Sequence, residues 1–214
     1  MKITDACVYP YPRGNSSVHR LALEARTLGY DSIVAVDTPS CETGGVTVLS
    51  GLMIADMPAK EVANRIKRGK DPKVVVSVQA RDNGFNRAVC GTKGVHILRD
   101  IPCADKYAFD HVTAKIAADN GTAIDLDLSP IISRRGHARE KAIHSYLDIL
   151  LLRNRFEFPL TISSGARSVL DMRPVREVSG LCSLIGMDVQ DTEDALAGVG
   201  RILAPKETAV KVIS

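Results

Sequence analysis

Leu160-Thr161-Ile162-Ser163-Ser164-Gly165-Ala166-Arg167-Ser168-Val169-Leu170-Asp171-Met172-Arg173-Pro174-Val175-Arg176-Glu177-Val178 holds the most legible unit of this 214-residue chain. After Pro159, the run Leu160 to Ile162 is short, apolar and β-branched, the pattern of a buried strand. Pro174 suits the first turn of a helix, where a missing N–H costs nothing. Between strand and helix lie Ser163, Ser164, Arg167, Ser168, Asp171 and Arg173, with Arg176 one turn further on. Hydroxyls, glycine backbone and guanidinium groups at a strand's carboxyl end can hold phosphate oxygens. Barrel folds carry their functional groups at that end. Taken alone, the segment reads more plainly as a loop with solvated arginines.

Outward from this stretch the strand-then-helix order repeats. Seven apolar runs read as strands: Ile3–Val8, Ile33–Val36, Val46–Ile54, Lys73–Val78, Val95–Leu98, Ala123–Leu128 and Leu160–Ser163. Ser16 or Ser17 caps a helix through Leu28, with Gly29 past its end. Asp56 and Pro58 open another that closes near Gly69, and Asn83–Gly91 holds a short one. Asp110 caps a helix ending at Asn120-Gly121. Ser133–Asn154 contains a long one, with Ala142, Ile143, Tyr146, Leu147 and Leu150 at helical spacing. After Ser163 the text is helical nearly to the end, while Asp37–Gly45 reads as a mobile loop. Repeating β–α order implies a parallel sheet. At this length the expectation is one α/β domain over residues 1–214, a TIM-barrel-like, seven-stranded parallel β/α barrel. An open doubly wound sheet is the alternative. Its nucleotide-binding forms lose support, because neither Gly-x-Gly-x-x-Gly after the first strand nor Gly-x-x-x-x-Gly-Lys occurs.

The charged fraction of 25% is ordinary for a globular chain. No apolar run has membrane-spanning length, and the N-terminus lacks a secretory layout, so a cytoplasmic protein without membrane contact is expected. Five cysteines without a Cys-x-x-Cys pair argue for reduced thiols rather than a zinc ribbon or disulfide framework. The net charge of +3 implies no nucleic-acid binding by itself. Its distribution says more. From Ile131 to Arg176, nine cations, eight of them arginine, face four acids, so the remainder is slightly acidic. Arg134, Arg135 and Arg139 fall where a helix begins, which is unfavourable to the helix dipole unless an external anion compensates. A solvated helix start is the plain alternative.

Ser163 to Ser168 followed by Leu170 to Glu177 resembles the C-terminal signature of the ribonuclease P protein component 3 family. Phe109-Asp110-His111-Val112-Thr113-Ala114-Lys115, Ala123 to Leu128 and Leu184-Ile185-Gly186-Met187 agree, in the family's order and approximate spacing over Phe109–Pro205. The first half matches in layout and in its short size. The resemblance implies a barrel of the polymerase-and-histidinol-phosphatase type. It also implies a subunit role in ribonuclease P, which removes the 5′ leader of precursor tRNA. The catalytic centre would lie in the RNA subunit with its magnesium, with no cofactor, metal or catalytic residue on this chain. Implied partners are ribonuclease P RNA, protein component 2 and other protein subunits, with precursor tRNA in the holoenzyme. The residues expected to meet RNA are Arg134, Arg135, Arg139, Arg167, Arg173 and Arg176, with Ser163 and Ser164 as hydrogen-bonding support. With no Trp and few aromatics, contacts to RNA shape and phosphates are expected rather than base stacking on an aromatic sheet.

Metal-dependent enzymes of this barrel type carry His-x-His on the first strand and an acid-then-histidine near the last. Here Asp5-Ala6-Cys7 and Ser164-Gly165-Ala166-Arg167 stand there, which implies a lost metal site. The histidines His19, His96, His111, His137 and His144 read as surface or core residues. Asp125 and Asp127 alternate on one strand and share a face; if that face is the lumen, Arg167 or Lys115 are candidate partners. Two competitors stand beside the subunit reading. One is an independent metal-dependent phosphoesterase using Asp5, Asp125, Asp127 and His111. The other is a phosphosugar aldolase or isomerase holding phosphate with Arg167 and the Ser163–Gly165 turn.

Overall fold

The computed structural model describes residues 2–69, 73–105 and 107–204. The ends of the expected 1–214 domain, and Pro205 at the end of the resembling stretch, lie outside those residues. Seven parallel strands form one sheet: β1 (Thr4–Val8), β2 (Ser32–Val36), β4 (Val46–Ile54), β5 (Val75–Gln79), β6 (Ile97–Arg99), β7 (Ala123–Asp127) and β8 (Leu160–Ser163), paired in that order. β3 (Cys41–Thr43) joins as a short antiparallel partner of β4. Every residue of β1, β2, β7 and β8 is buried. Burial on both faces suits the small and apolar residues of these strands, and the buried polar ones, such as Asp5, Asp125 and Asp127, are held by hydrogen bonds or ion pairs.

Helices cover the outside: α1 (Val18–Leu28), α2 (Ala59–Arg68), α3 (Asn83–Cys90), α4 (His111–Asn120), the short α5 (Ser129–Ser133), α6 (Gly136–Phe156), α7 (Val175–Ser183) and α8 (Val189–Leu196). Their ends follow local chemistry. The Ser17 hydroxyl accepts from the Arg20 N–H and Gly29 stops α1 at φ 96°. The Asp110 carboxylate accepts from the Thr113 N–H and Gly121 stops α4 at φ 70°.

Two expectations need correction. Asp37–Gly45 reads as a loop throughout, but within it Cys41–Thr43 forms a short strand. Cys41 to Thr43 pair with Val48 to Val46, the Ser50 N–H donates to Ser40 Oγ at 3.1 Å, and Thr43 Oγ1 lies 2.6 Å from His19 Nδ1. Its residues are polar because this strand is largely exposed. The fifth parallel strand is Ile97–Arg99 rather than Val95–Leu98, starting two residues later and ending one later, which brings Arg99 into the sheet.

The barrel closes where β8 returns to β1, through few bonds. The Tyr9 N–H donates to Ala166 O at 2.7 Å and the Gly165 N–H to Cys7 O at 3.1 Å. An irregularity between Asp5 and Val8 breaks the register of β1. The Asp5 carboxylate serves this seam, with Oδ1 accepting from the Cys7 N–H at 3.1 Å and the Ser164 N–H at 3.0 Å. At the opposite mouth, α9 (Gly198–Leu203) seats Val199 among Ala6, Val34, Val75, Ile97 and Ala123. Only glycine fits at its start, since a Cβ at position 198 would meet Leu160 O at 2.1 Å.

Burial pushes the Asp5 carboxyl up to about 6, against the pull of its hydrogen bonds from Ser164 and Cys7. An unfolded aspartate titrates near ~3.9, so the neutral form favours the fold in full below about pH 4 and that advantage is lost as pH rises to about 6. Asp5→Asn keeps an oxygen for both N–H groups and cannot ionise. Denaturant unfolding of both proteins from pH 4 to 7 should show the variant gaining on the parent by up to about 3 kcal/mol. A constant difference across that range would contradict this account of the seam.

Candidate functional site

The register β6–β7–β8 gathers polar side chains inside the barrel. Asp125 pairs with Thr161 and Asp127 with Ser163 across β7 and β8. Arg99, 1% exposed, enters from β6. Its Nη2 lies 3.1 Å from Asp127 Oδ2 and 3.4 Å from Asp125 Oδ2, and donates to Ser163 Oγ at 3.3 Å. Ser163 donates to Asp125 Oδ2 at 2.6 Å and Thr161 to Asp125 Oδ1 at 2.8 Å. Asp127 Oδ1 accepts the Ser129 N–H at 2.8 Å. The Tyr9 ring lies over the cluster, 5.9 Å from the Arg99 guanidinium. Burial pushes Asp125 up to about 6 although Arg99 pulls it down and Asp127 adds to the push. Cys7 is raised to about 12 by burial, which keeps it a neutral thiol at neutral pH.

This donor set does not suit a cation. A guanidinium stands among the carboxylates, and among the described residues no group of three His, Cys, Asp or Glu side chains could hold a metal ion. Nor does the phosphoesterase set assemble. Asp5 is committed to the seam, and His111 is exposed in the first turn of α4. The partner of Asp125 and Asp127 is Arg99, not Arg167 or Lys115. Sequence reading missed Arg99; the one available signal was its place two residues after Ile97 on a strand beside two alternating aspartates.

The carboxyl rim above this cluster carries the arginines. A cleft of about 270 Å³ is lined by Ser129, Ile132, Ser133, Ser164, Gly165, Arg167 and Asp171. Arg134 ends α5, Arg135 precedes α6 and Arg139 sits in its first turn. Arg135 is exposed, while Arg134 and Arg139 are half-buried. Arg134 Nη2 lies 3.1 Å from Cys103 Sγ. Ser163 is fully buried and bound to Asp125, so it does not reach a ligand, a correction to its expected supporting role. Ser164 lines the cleft but is 6% exposed, with its Oγ accepting the Ala166 N–H.

Arg167 is exposed, yet its side chain works locally. Nη1 donates to Arg13 O at 2.8 Å and the guanidinium lies 4.5 Å from the Tyr9 ring centroid. Arg173 turns back onto its own chain, with Nη1 donating to Leu170 O and Met172 O. Arg176, exposed, belongs to the start of α7, where Val175 packs beside Gly29 at the carboxyl end of α1. The expected RNA set is therefore split: Arg134, Arg135, Arg139 and Arg167 share the carboxyl rim, and Arg176 does not join them. Rim residue Arg13, paired with Asp37 at 2.7 Å, escaped sequence reading.

A family model described as RNase P subunit p30 matches residues 2–209. Ribonuclease P protein component 3 of Methanococcoides burtonii is 26% identical over 217 residues, covering 98% of this chain and 86% of that protein. The protein of the same name from Haloarcula marismortui is 29% identical, covering 92% and 87%. In structure, the fold is similar to a chain in archaeal ribonuclease P with mature tRNA (TM-score 0.76, 15% identity, 92% of this chain and 89% of that one). It is also similar to histidinol phosphate phosphatase from Lactococcus lactis complexed with zinc, histidinol and phosphate (TM-score 0.56, 10% identity, 87% and 94%).

Removing Arg99 leaves two buried carboxylates without a counter-charge. Arg99→Met should cost about 3–5 kcal/mol, the scale for a broken buried pair. Asp125→Asn should cost much less, since an amide still accepts from Thr161 or Ser163 and Asp127 still faces Arg99. Thermal and urea unfolding of the two variants checks this order, and equal losses would contradict it.

Proposed function

The chain belongs to the RNase P subunit p30 family, and from that premise we propose that it serves as protein component 3 of ribonuclease P. The holoenzyme hydrolyses precursor tRNA at the 5′ leader. In this reading the reacting groups and magnesium belong to the RNA subunit, and this chain supports the catalytic RNA together with protein component 2. The observation that carries the reading is the family match along nearly the whole chain. The interior of the barrel supports the non-catalytic part of it: Arg99 lies against Asp125 and Asp127, and a guanidinium among the carboxylates repels a metal cation.

The physical task falls to the rim. RNA helices packed near a catalytic centre repel one another through their phosphates, and fixed guanidinium groups lower that cost while forming forked contacts. Arg135 is exposed at the head of α6, with Arg134 and Arg139 beside it, and the helix interior behind them is anchored by Ala142, Tyr146 and Ile149. The Tyr146 hydroxyl donates to Asp127 O at 2.7 Å, which ties this helix to the ion cluster in the lumen.

The test is cleavage of precursor tRNA by the cognate RNA with component 2, at magnesium concentrations where RNA alone is weak, with and without this chain. The expected result is a large rate gain. Replacing Arg134, Arg135 and Arg139 by Ala should reduce the gain and make the salt dependence of RNA affinity shallower by roughly 2–3 logarithmic units, about one per phosphate contact. No gain while component 2 binds would overturn the reading. Divalent-ion-dependent hydrolysis of a phosphate ester by the chain alone would favour the phosphoesterase.

A further inference from the structure

The loop between β1 and α1 is built more firmly than an ordinary surface connection. The Tyr11 N–H donates to Ser16 O at 2.9 Å, and the Arg13 and Gly14 N–H groups donate to Pro10 O at 2.9 and 3.0 Å. The Asn15 N–H donates to Arg167 O at 2.6 Å. Gly14 is pressed against the next layer, where a Cβ would meet Tyr9 O at 2.1 Å and Arg167 O at 2.4 Å. Arg167 grips the loop twice more, through Nη1 on Arg13 O and its guanidinium over the Tyr9 ring. The neighbouring turn is tied in as well, its Val169 N–H donating to Ser16 Oγ at 3.3 Å.

What this rigid arm displays is specific. Tyr11 is 76% exposed and Leu170, on the adjoining turn, is 81% exposed. Arg13, two residues on from Tyr11, has nearly half its side chain open to solvent, its guanidinium paired with the similarly open Asp37. Of the nearby acids, Asp171 is already occupied, with Oδ2 accepting from the Arg167 and Ser168 N–H groups. An exposed aromatic ring on a hydrogen-bonded loop, two residues from an exposed guanidinium paired with an exposed carboxylate, matches two parts of one ligand. A flat face needs a flat face, and a phosphate can replace a carboxylate on arginine.

We propose that the Tyr9–Asn15 arm is an RNA contact in which Tyr11 stacks on an unpaired base and Arg13 takes an adjoining phosphate, with Arg167 as the positioning residue that holds the arm. This rests on the ribonuclease P reading above and names a site within it. An unpaired nucleotide is the fitting form, because a closed RNA helix hides its base faces. It also reverses the expected role of Arg167, whose guanidinium is engaged by the protein and presents its neighbours.

The experiment is assembly of the full chain with component 2 and the cognate RNA, with p-benzoylphenylalanine at position 11 as a photo-crosslinker, beside affinity measurements for Tyr11→Ala, Tyr11→Phe and Arg13→Ala. Tyr11 and Arg13 are exposed, so unchanged melting temperatures are expected and confirm folded variants. The crosslink should fall on RNA. Tyr11→Ala should bind RNA about 5- to 150-fold more weakly, Tyr11→Phe nearly as the parent does, and Arg13→Ala with a salt slope shallower by about 0.7–0.9. A crosslink to component 2 alone, or Tyr11→Ala and Arg13→Ala binding like the parent, would overturn the arm while the parent's rate gain leaves the subunit reading standing. A parent complex in which the chain adds neither affinity nor rate would overturn both.

Discussion

The Arg99 guanidinium between Asp125 and Asp127 is the constraint on which the interior depends. A buried cation with paired carboxylates is not an efficient source of stability, but removing one partner is costly. The cluster therefore locks three strands into one arrangement: β6 by Arg99, β7 by the aspartates and β8 by Thr161 and Ser163. It extends to the helical layer, because Tyr146 donates to the Asp127 carbonyl and the Ser129 N–H donates to its carboxylate. Wherever α5 and α6 begin, and hence where Arg134, Arg135 and Arg139 emerge, is set by what β7 does inside.

That linkage separates two jobs that a metal-bearing barrel combines. In such an enzyme the lumen's carboxyl end holds the cation and the rim recognises the substrate. Here the lumen is filled by its own ion pair with the Tyr9 ring over it, while guanidinium groups stand on the rim. Burial pushes Asp125 up to about 6, with Asp127 adding to the push against Arg99, so the cluster takes up a proton only as pH falls towards that value.

Much of the fold was legible in the sequence because its signals are local. Ser17, Asp110, Gly29 and Gly121 end their helices as capping chemistry requires, and β1, β2, β7 and β8 announce themselves as short segments buried on both faces. The site was less legible. Arg99 closes a three-residue strand and is followed by Asp100, so it reads as a surface charge at a strand end; only the register with β7 turns it inward. Ser163 looks like a turn hydroxyl until pairing with Asp127 places it in the lumen. Arg167 looks like a free phosphate ligand, and its engagement with Arg13 O spans 154 residues of sequence, beyond any local pattern. β3 escaped because a polar tripeptide on an exposed edge carries no strand signal of its own.

The separation of lumen and rim is tested most directly by comparing Asp125→Asn with the Arg134→Ala/Arg135→Ala/Arg139→Ala triple variant. Both would be assayed, after confirmation that they are folded, for the rate they add to precursor-tRNA cleavage in the reconstituted complex. The account predicts that the lumen variant retains nearly the full gain and the rim variant loses most of it. A folded Asp125→Asn protein that adds no rate, beside a rim variant that adds all of it, would contradict the account and return the chemistry to the barrel interior.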